Sequence, residues 1–129
     1  MTHMRSDVLV YLSGPITPRD GFSVTENITQ ATRVFCELLR RGIPAFCPHL
    51  TAGAFEVESL IPYETWMAYD LAVIERCTHV LLLPRWRSSP GAVRERAHAL
   101  CRGIPVVPSV LTLDRLLRGG PHVEARSVV

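Results

Sequence analysis

Leu81-Leu82-Leu83-Pro84-Arg85-Trp86-Arg87-Ser88-Ser89-Pro90-Gly91-Ala92-Val93-Arg94-Glu95 reads as a buried strand, a basic loop and the opening of a helix. A strand that hands over to a helix puts its loop at the carboxyl edge of a sheet, where open α/β folds bind ligands. Ser89 suits an N-cap and Pro90 a first helical position. The free N–H groups of that first turn, with the Ser88 and Ser89 hydroxyls, predict an anion cradle. Arg85 and Arg87 add positive charge beside it, and Gly91 lets a ligand approach the backbone. Glu95 follows about one and a half turns into the helix, near the edge of the cradle. The stretch is either a phosphate site with a carboxylate at hand or a plain strand–loop–helix with solvated arginines.

The flanking chain repeats the pattern. Val8–Ser13 is a continuous apolar run, suited to a strand buried on both faces, and Gly14-Pro15 turns it. Ser23-Val-Thr-Glu26 predicts a capping box, followed by apolar residues at helical spacing up to Arg40. Ile43–Pro48 predicts a second strand ending at His49. Leu50–Leu60 is irregular, either a lid over the site or a mobile connection. Pro62 opens a helix to about Arg76; His79–Pro84 is the third strand, Ser89–Arg102 the next helix. Pro105–Pro108 is a fourth strand and Leu111–Leu117 a last helix, before a polar tail over 118–129. Strands alternating with helices predict one α/β domain, a doubly wound parallel sheet of flavodoxin-like or Rossmann-like type in a three-layer sandwich, with its core over about 8–117. Its carboxyl edge would gather Tyr11, Ser13, Gly14, Pro15 and Arg19 from the first loop and His49 from the second. Arg85, Trp86, Arg87, Ser88, Ser89 and Gly91 would come from the third. His49 either lines that edge or caps the second strand.

Composition narrows the function. The 129 residues, 47 % hydrophobic, suffice for a single domain with a real core. A formal charge of +2 does not suit a nucleic-acid polymer, whereas local charge suits a small anion. Cys36, Cys47, Cys77 and Cys101 lie singly in apolar segments, as core residues of a reducing compartment. Cys47 and His49 make a weak zinc pattern, so neither metal nor cofactor is expected. No apolar run approaches a membrane span and residues 1–6 lack a signal-peptide core, so a cytoplasmic protein is expected.

Two acids stand out. On the helix from Pro62, Asp70 falls near the middle of the face carrying Tyr63, Trp66, Val73, Ile74 and Cys77. A carboxylate there needs a cation, hydrogen bonds or a pocket. It is either a satisfied structural Asp or a site acid. Glu95 lies at the border of its helix's apolar arc beside the small residues Gly91, Ala92 and Ala99. It is either a site carboxylate or a solvated Glu paired with Arg94 or Arg102. Arg96 falls awkwardly inside that arc. Two acids and an anion site at one sheet edge suggest glycosidic chemistry, in which one carboxylate meets the anomeric carbon and another group handles the leaving base's proton.

Tyr11-Leu-Ser-Gly-Pro15, Asp70 within Tyr69-Asp-Leu71, and Ser89-Pro-Gly-Ala-Val-Arg-Glu95 together resemble the nucleoside 2-deoxyribosyltransferase superfamily, in particular its small phage and bacterial branch. The resemblance covers about residues 8–108. It implies a flavodoxin-like fold and attack at C1′ of a nucleoside or nucleotide, with Glu95 as nucleophile. Asp70 would orient the sugar or help protonate the base, and Tyr11 would position nucleophile or substrate. Ser89 and Gly91 match the phosphate-binding turn of the related 2′-deoxynucleoside 5′-phosphate N-hydrolases. Val93 stands where those hydrolases tend to carry a second glycine. Arg85 and Arg87 stand where the transferases tend to carry an acid, which favours a phosphorylated substrate. Trp66 and Trp86 either stack on a base or belong to the core. The expected activity is release of a base from a (deoxy)nucleoside 5′-monophosphate. The alternatives are base exchange by a deoxyribosyltransferase and a nucleotide-binding sensor without turnover. The resemblance also implies a homo-oligomer, dimer or tetramer.

Overall fold

The computed structural model describes residues 3–51 and 60–119. Its first strand, β1 (Val10–Ser13), is buried at every position, as its unbroken apolar run requires. Residues Ala45–Phe46 form β2, His79–Leu82 form β3 and Val106–Val107 form β4. All pair in parallel in the order β2-β1-β3-β4, with Ser13 opposite Leu82. This is the flavodoxin-like order, and the chain reverses its winding between β1 and β3, the switch point where such sheets bind ligands.

Period-two alternation sorts β1 between two helical layers. Val10 and Leu12 pack with Ala31 and Leu38 of α1 (Val24–Arg40) and Leu113 of α4 (Val110–Leu117). Tyr11 packs on the opposite face with Ile74 of α2 (Tyr63–Ile74) and Ala99 of α3 (Pro90–Cys101). The sheet is thus covered on both sides, giving the three-layer α/β sandwich. Helix α1 opens on the capping box read from the sequence: Ser23 Oγ accepts from the Glu26 N–H and Glu26 Oε1 from the Ser23 N–H, both at 3.0 Å.

Element ends differ from the expected bounds where proline intervenes. The second strand shrinks to two residues because Pro44 and Pro48 cannot donate to a ladder, and Pro48–Thr51 forms a 3-10 turn instead. Pro62 caps α2 rather than opening it. Residues 52–59, most of the stretch read as a lid, and 120–129 of the tail lie outside the described residues. Among the described residues no helix is long and apolar enough to cross a membrane.

Candidate active site

Because Tyr11 and Ser13 alternate onto the same face of β1, both reach the helix packed there. The Tyr11 hydroxyl donates to Glu95 Oε2 at 2.8 Å and the Ser13 hydroxyl to Oε1 at 2.7 Å. Tyr11 and Ser13 are fully buried, and Glu95 is only 6 % exposed. Burial pushes Glu95 up to about 8, against the pull of the two hydroxyls, which favour its charged form. Burial also holds the Tyr11 phenol protonated, far above its usual range. Tyr11 is braced by Phe46, whose ring stacks on it at 5.8 Å; Tyr69 and then Trp66 follow edge-on, each at 6.3 Å.

Glu95 closes one end of a pocket of about 470 Å³, within the range of small-molecule sites. Asp70 lines it from α2 and interacts with both Glu95 and Tyr11; burial pushes Asp70 up to about 6. Gly14, Pro15 and Arg19 line it from the first loop, and Ser89 and Gly91 from the start of α3. A Cβ on Gly14 would stand 2.6 Å from Leu83 Cβ, so the ends of β1 and β3 meet there only over a glycine.

The first loop is held from behind. His49 sits buried on the 3-10 turn after β2, with Nε2 3.0 Å from the Pro15 carbonyl and Nδ1 3.7 Å from Cys47 Sγ. A carbonyl only accepts, so Nε2 carries the proton, and burial keeps the ring neutral by lowering its pKa. His49 therefore supports the loop and does not line the pocket. Asp20 (φ 56°) and Gly21 (φ 81°) form a tight turn with Arg19 and Phe22 bonded across it, and this turn presents Arg19.

The basic loop is the main correction to the sequence reading. Arg85, in the left-handed region at φ 65°, turns away from the pocket. Its Nη2 donates to Asn27 Oδ1 at 2.7 Å and Gln30 Oε1 at 3.0 Å, and its guanidinium stacks 3.6 Å over Phe22. Asn27 in turn donates to the Ile16 and Thr17 carbonyls. Arg85 thus clamps the first loop through Asn27 instead of facing the pocket. The Ser88 hydroxyl donates back to the Arg85 carbonyl. Trp86 is half-buried and packs against the core, with Arg87 and Arg96 over its ring at 4.7 and 5.1 Å, which accounts for Arg96 in the apolar arc. None of Arg85, Trp86, Arg87 or Ser88 lines the pocket. The anion cradle is also narrower than expected. Pro90 has no N–H, Ala92 N–H is bound to Ser89 Oγ and Val93 N–H to the Ser89 carbonyl, which leaves Gly91 as the first-turn donor.

A family model described as a domain of unknown function (DUF4406) matches residues 8–108. The chain belongs to the DUF4406 family. No curated protein and no solved structure matches it significantly. The matched region runs from just before β1 to just past β4, so Tyr11, Asp70 and Glu95 all fall within the DUF4406 domain.

In this DUF4406 pocket the sequence reading missed Arg94, Tyr63 and Met67. Arg94 makes a two-pronged ion pair with Glu64 at 3.0 and 3.1 Å. Helical spacing held the signal: Gly91, Arg94 and Glu95 stand at i, i+3 and i+4, as Tyr63, Met67 and Asp70 stand at i, i+4 and i+7. Trp66 lines the pocket as well. Among the described residues no cluster of three or more His, Cys, Asp or Glu side chains could hold a metal ion. The chemistry on offer is therefore that of two facing carboxyl groups, one oriented by hydroxyls, beside an aromatic wall and two arginines.

Proposed function

We propose that the protein is a nucleotide N-glycosidase, releasing the base from a (deoxy)nucleoside 5′-monophosphate. The observation that carries this reading is the Glu95 carboxylate, buried and fixed by one hydroxyl on each oxygen, opposite a second acid in the same pocket. The resemblance of these residues to the nucleoside 2-deoxyribosyltransferase superfamily assigns them the same roles.

Near neutral pH the two acids share one proton as a coupled pair. Glu95 is the weaker acid and holds that proton at rest; the reactive form has passed it to Asp70, a form that the Tyr11 and Ser13 hydroxyls favour by stabilising the charge on Glu95. Glu95 attacks C1′ as the C1′–N bond breaks, and Asp70 delivers its proton to the departing base. Asp70, now ionised, takes a proton from water; the resulting hydroxide attacks C1′ and the Glu95–C1′ ester bond breaks. Trp66 and Tyr63 offer the base a flat apolar wall.

The test is a chromatographic assay for free base, with each ribo- and deoxyribonucleoside and its 5′-monophosphate, beside Glu95→Gln. Base released from monophosphates, with a loss of more than about a thousandfold in the variant, is the expected result. Full turnover by Glu95→Gln would remove Glu95 as nucleophile. Release only when a second base is supplied would make the protein a transferase, and binding without release a sensor.

A further inference from the structure

Arg94 and Glu95 both line the pocket from α3, Glu95 buried and Arg94 exposed. The partner of Arg94, Glu64, sits in the first turn of α2 and does not line the pocket. The pair is exposed on both sides, with side-chain accessibilities of 45 and 71 %. Exposed ion pairs are weak and easily exchanged. Its geometry is nonetheless directed. Both guanidinium Nη atoms face the two carboxylate oxygens, the same fork that grips a phosphate. Gly91, one turn earlier, leaves room beside it: a Cβ there would stand 3.4 Å from Met67 and 3.5 Å from the Tyr63 hydroxyl, which also interacts with Arg94.

We propose that Glu64 holds the guanidinium of Arg94 as a stand-in for the anionic group of the ligand, and that this group displaces Glu64 on binding. Arg94 is then the residue that recognises the anion, and Glu64 sets the threshold an anion must exceed. A dianionic phosphate outcompetes a single carboxylate; a neutral or singly charged ligand does not. The inference rests on the nucleotide reading only for the identity of the anion, since the exchange itself needs no base chemistry.

Inorganic phosphate is therefore the probe, titrated by calorimetry against the wild type, Glu64→Gln, Arg94→Gln and the double variant, with Arg19→Gln alongside. Glu64→Gln is expected to tighten phosphate binding by about three- to tenfold, and Arg94→Gln to weaken it about tenfold or more. In the Arg94→Gln background the Glu64 substitution should change nothing, because its effect passes through Arg94. An equal gain in both backgrounds would reduce Glu64 to general charge repulsion and overturn the exchange. Loss on Arg19→Gln alone, or no phosphate binding by the wild type, would overturn Arg94 as the anion residue. Base release is read separately, so a protein that binds phosphate through Arg94 yet frees no base would retain the exchange and lose the glycosidase.

Discussion

Tyr11 is the residue on which the chemistry of Glu95 turns. Its hydroxyl, fully buried, is one of two donors holding the carboxylate. Tyr11→Phe should lower kcat by about 10- to 100-fold, the cost of one hydrogen bond to a charged group. The sign of the pH effect follows from the same bond. The hydroxyl favours ionised Glu95, so its removal raises the Glu95 pKa further and moves the rising limb of kcat/KM to higher pH. A profile that falls in height without moving would mean Tyr11 only packs. Asp70 was legible in the sequence because an acid amid an apolar helical face must be compensated. Glu95 was legible only as a border position, since its burial depends on hydroxyls from a strand more than eighty residues away. Arg85 and Arg87 were misread for a related reason. Their loop is placed correctly, but a long side chain goes where its donors find partners: Arg85 finds Asn27, Gln30 and the Phe22 ring, none of them local in sequence, and Arg87 lies over the ring of its neighbour Trp86.

At the scale of elements, the site depends on two strand ends lying unusually close. Leu83 is 1 % exposed and presses where a Gly14 side chain would be. Gly14→Ala should destabilise the fold by about 1–3 kcal/mol through overpacking, read as a lower midpoint in urea. Leu83→Gly alone leaves a cavity, removing the Cβ that would stand 2.6 Å from a Gly14 Cβ, and should also destabilise. Combined, the two should cost less than their sum, because each relieves the other. Strict additivity would place the strain elsewhere. This contact was invisible in the sequence: Gly14-Pro15 reads as a turn, and nothing local says which side chain lies over it. The helices were legible because their signals are local, as in the Ser23 capping box and the Ser89 cap. The short strands were legible as apolar runs, but their ends were not, since pairing length is set by the neighbour.

Across the whole molecule, the site weakens the fold that carries it. Glu95 titrates near 4.5 when unfolded, but burial raises it to about 8 in the native state. Between those values the native protein binds a proton that the unfolded chain has released. Stability therefore falls as pH rises through this window and levels off above it. Asp70, raised from 3.8 to about 6, slopes the same way over a narrower range. His49 slopes oppositely, because burial lowers its pKa, so stability is lost as pH falls below 6.5. A Glu95→Gln variant keeps His49, whose contribution cancels in the difference from wild type, while Asp70, coupled to Glu95, changes with it. What remains is the slope of the pair, dominated by Glu95. The amide keeps a comparable shape and can still accept from one hydroxyl, so below pH 4 the two proteins should melt within about 2 °C of each other. At pH 8 the variant should melt higher by about 5 °C or more. Calorimetric melting of both proteins at matched ionic strength from pH 4 to 8 checks this. Parallel curves would mean that the Glu95 charge is already compensated by its surroundings, and that its burial is not held against a cost in stability.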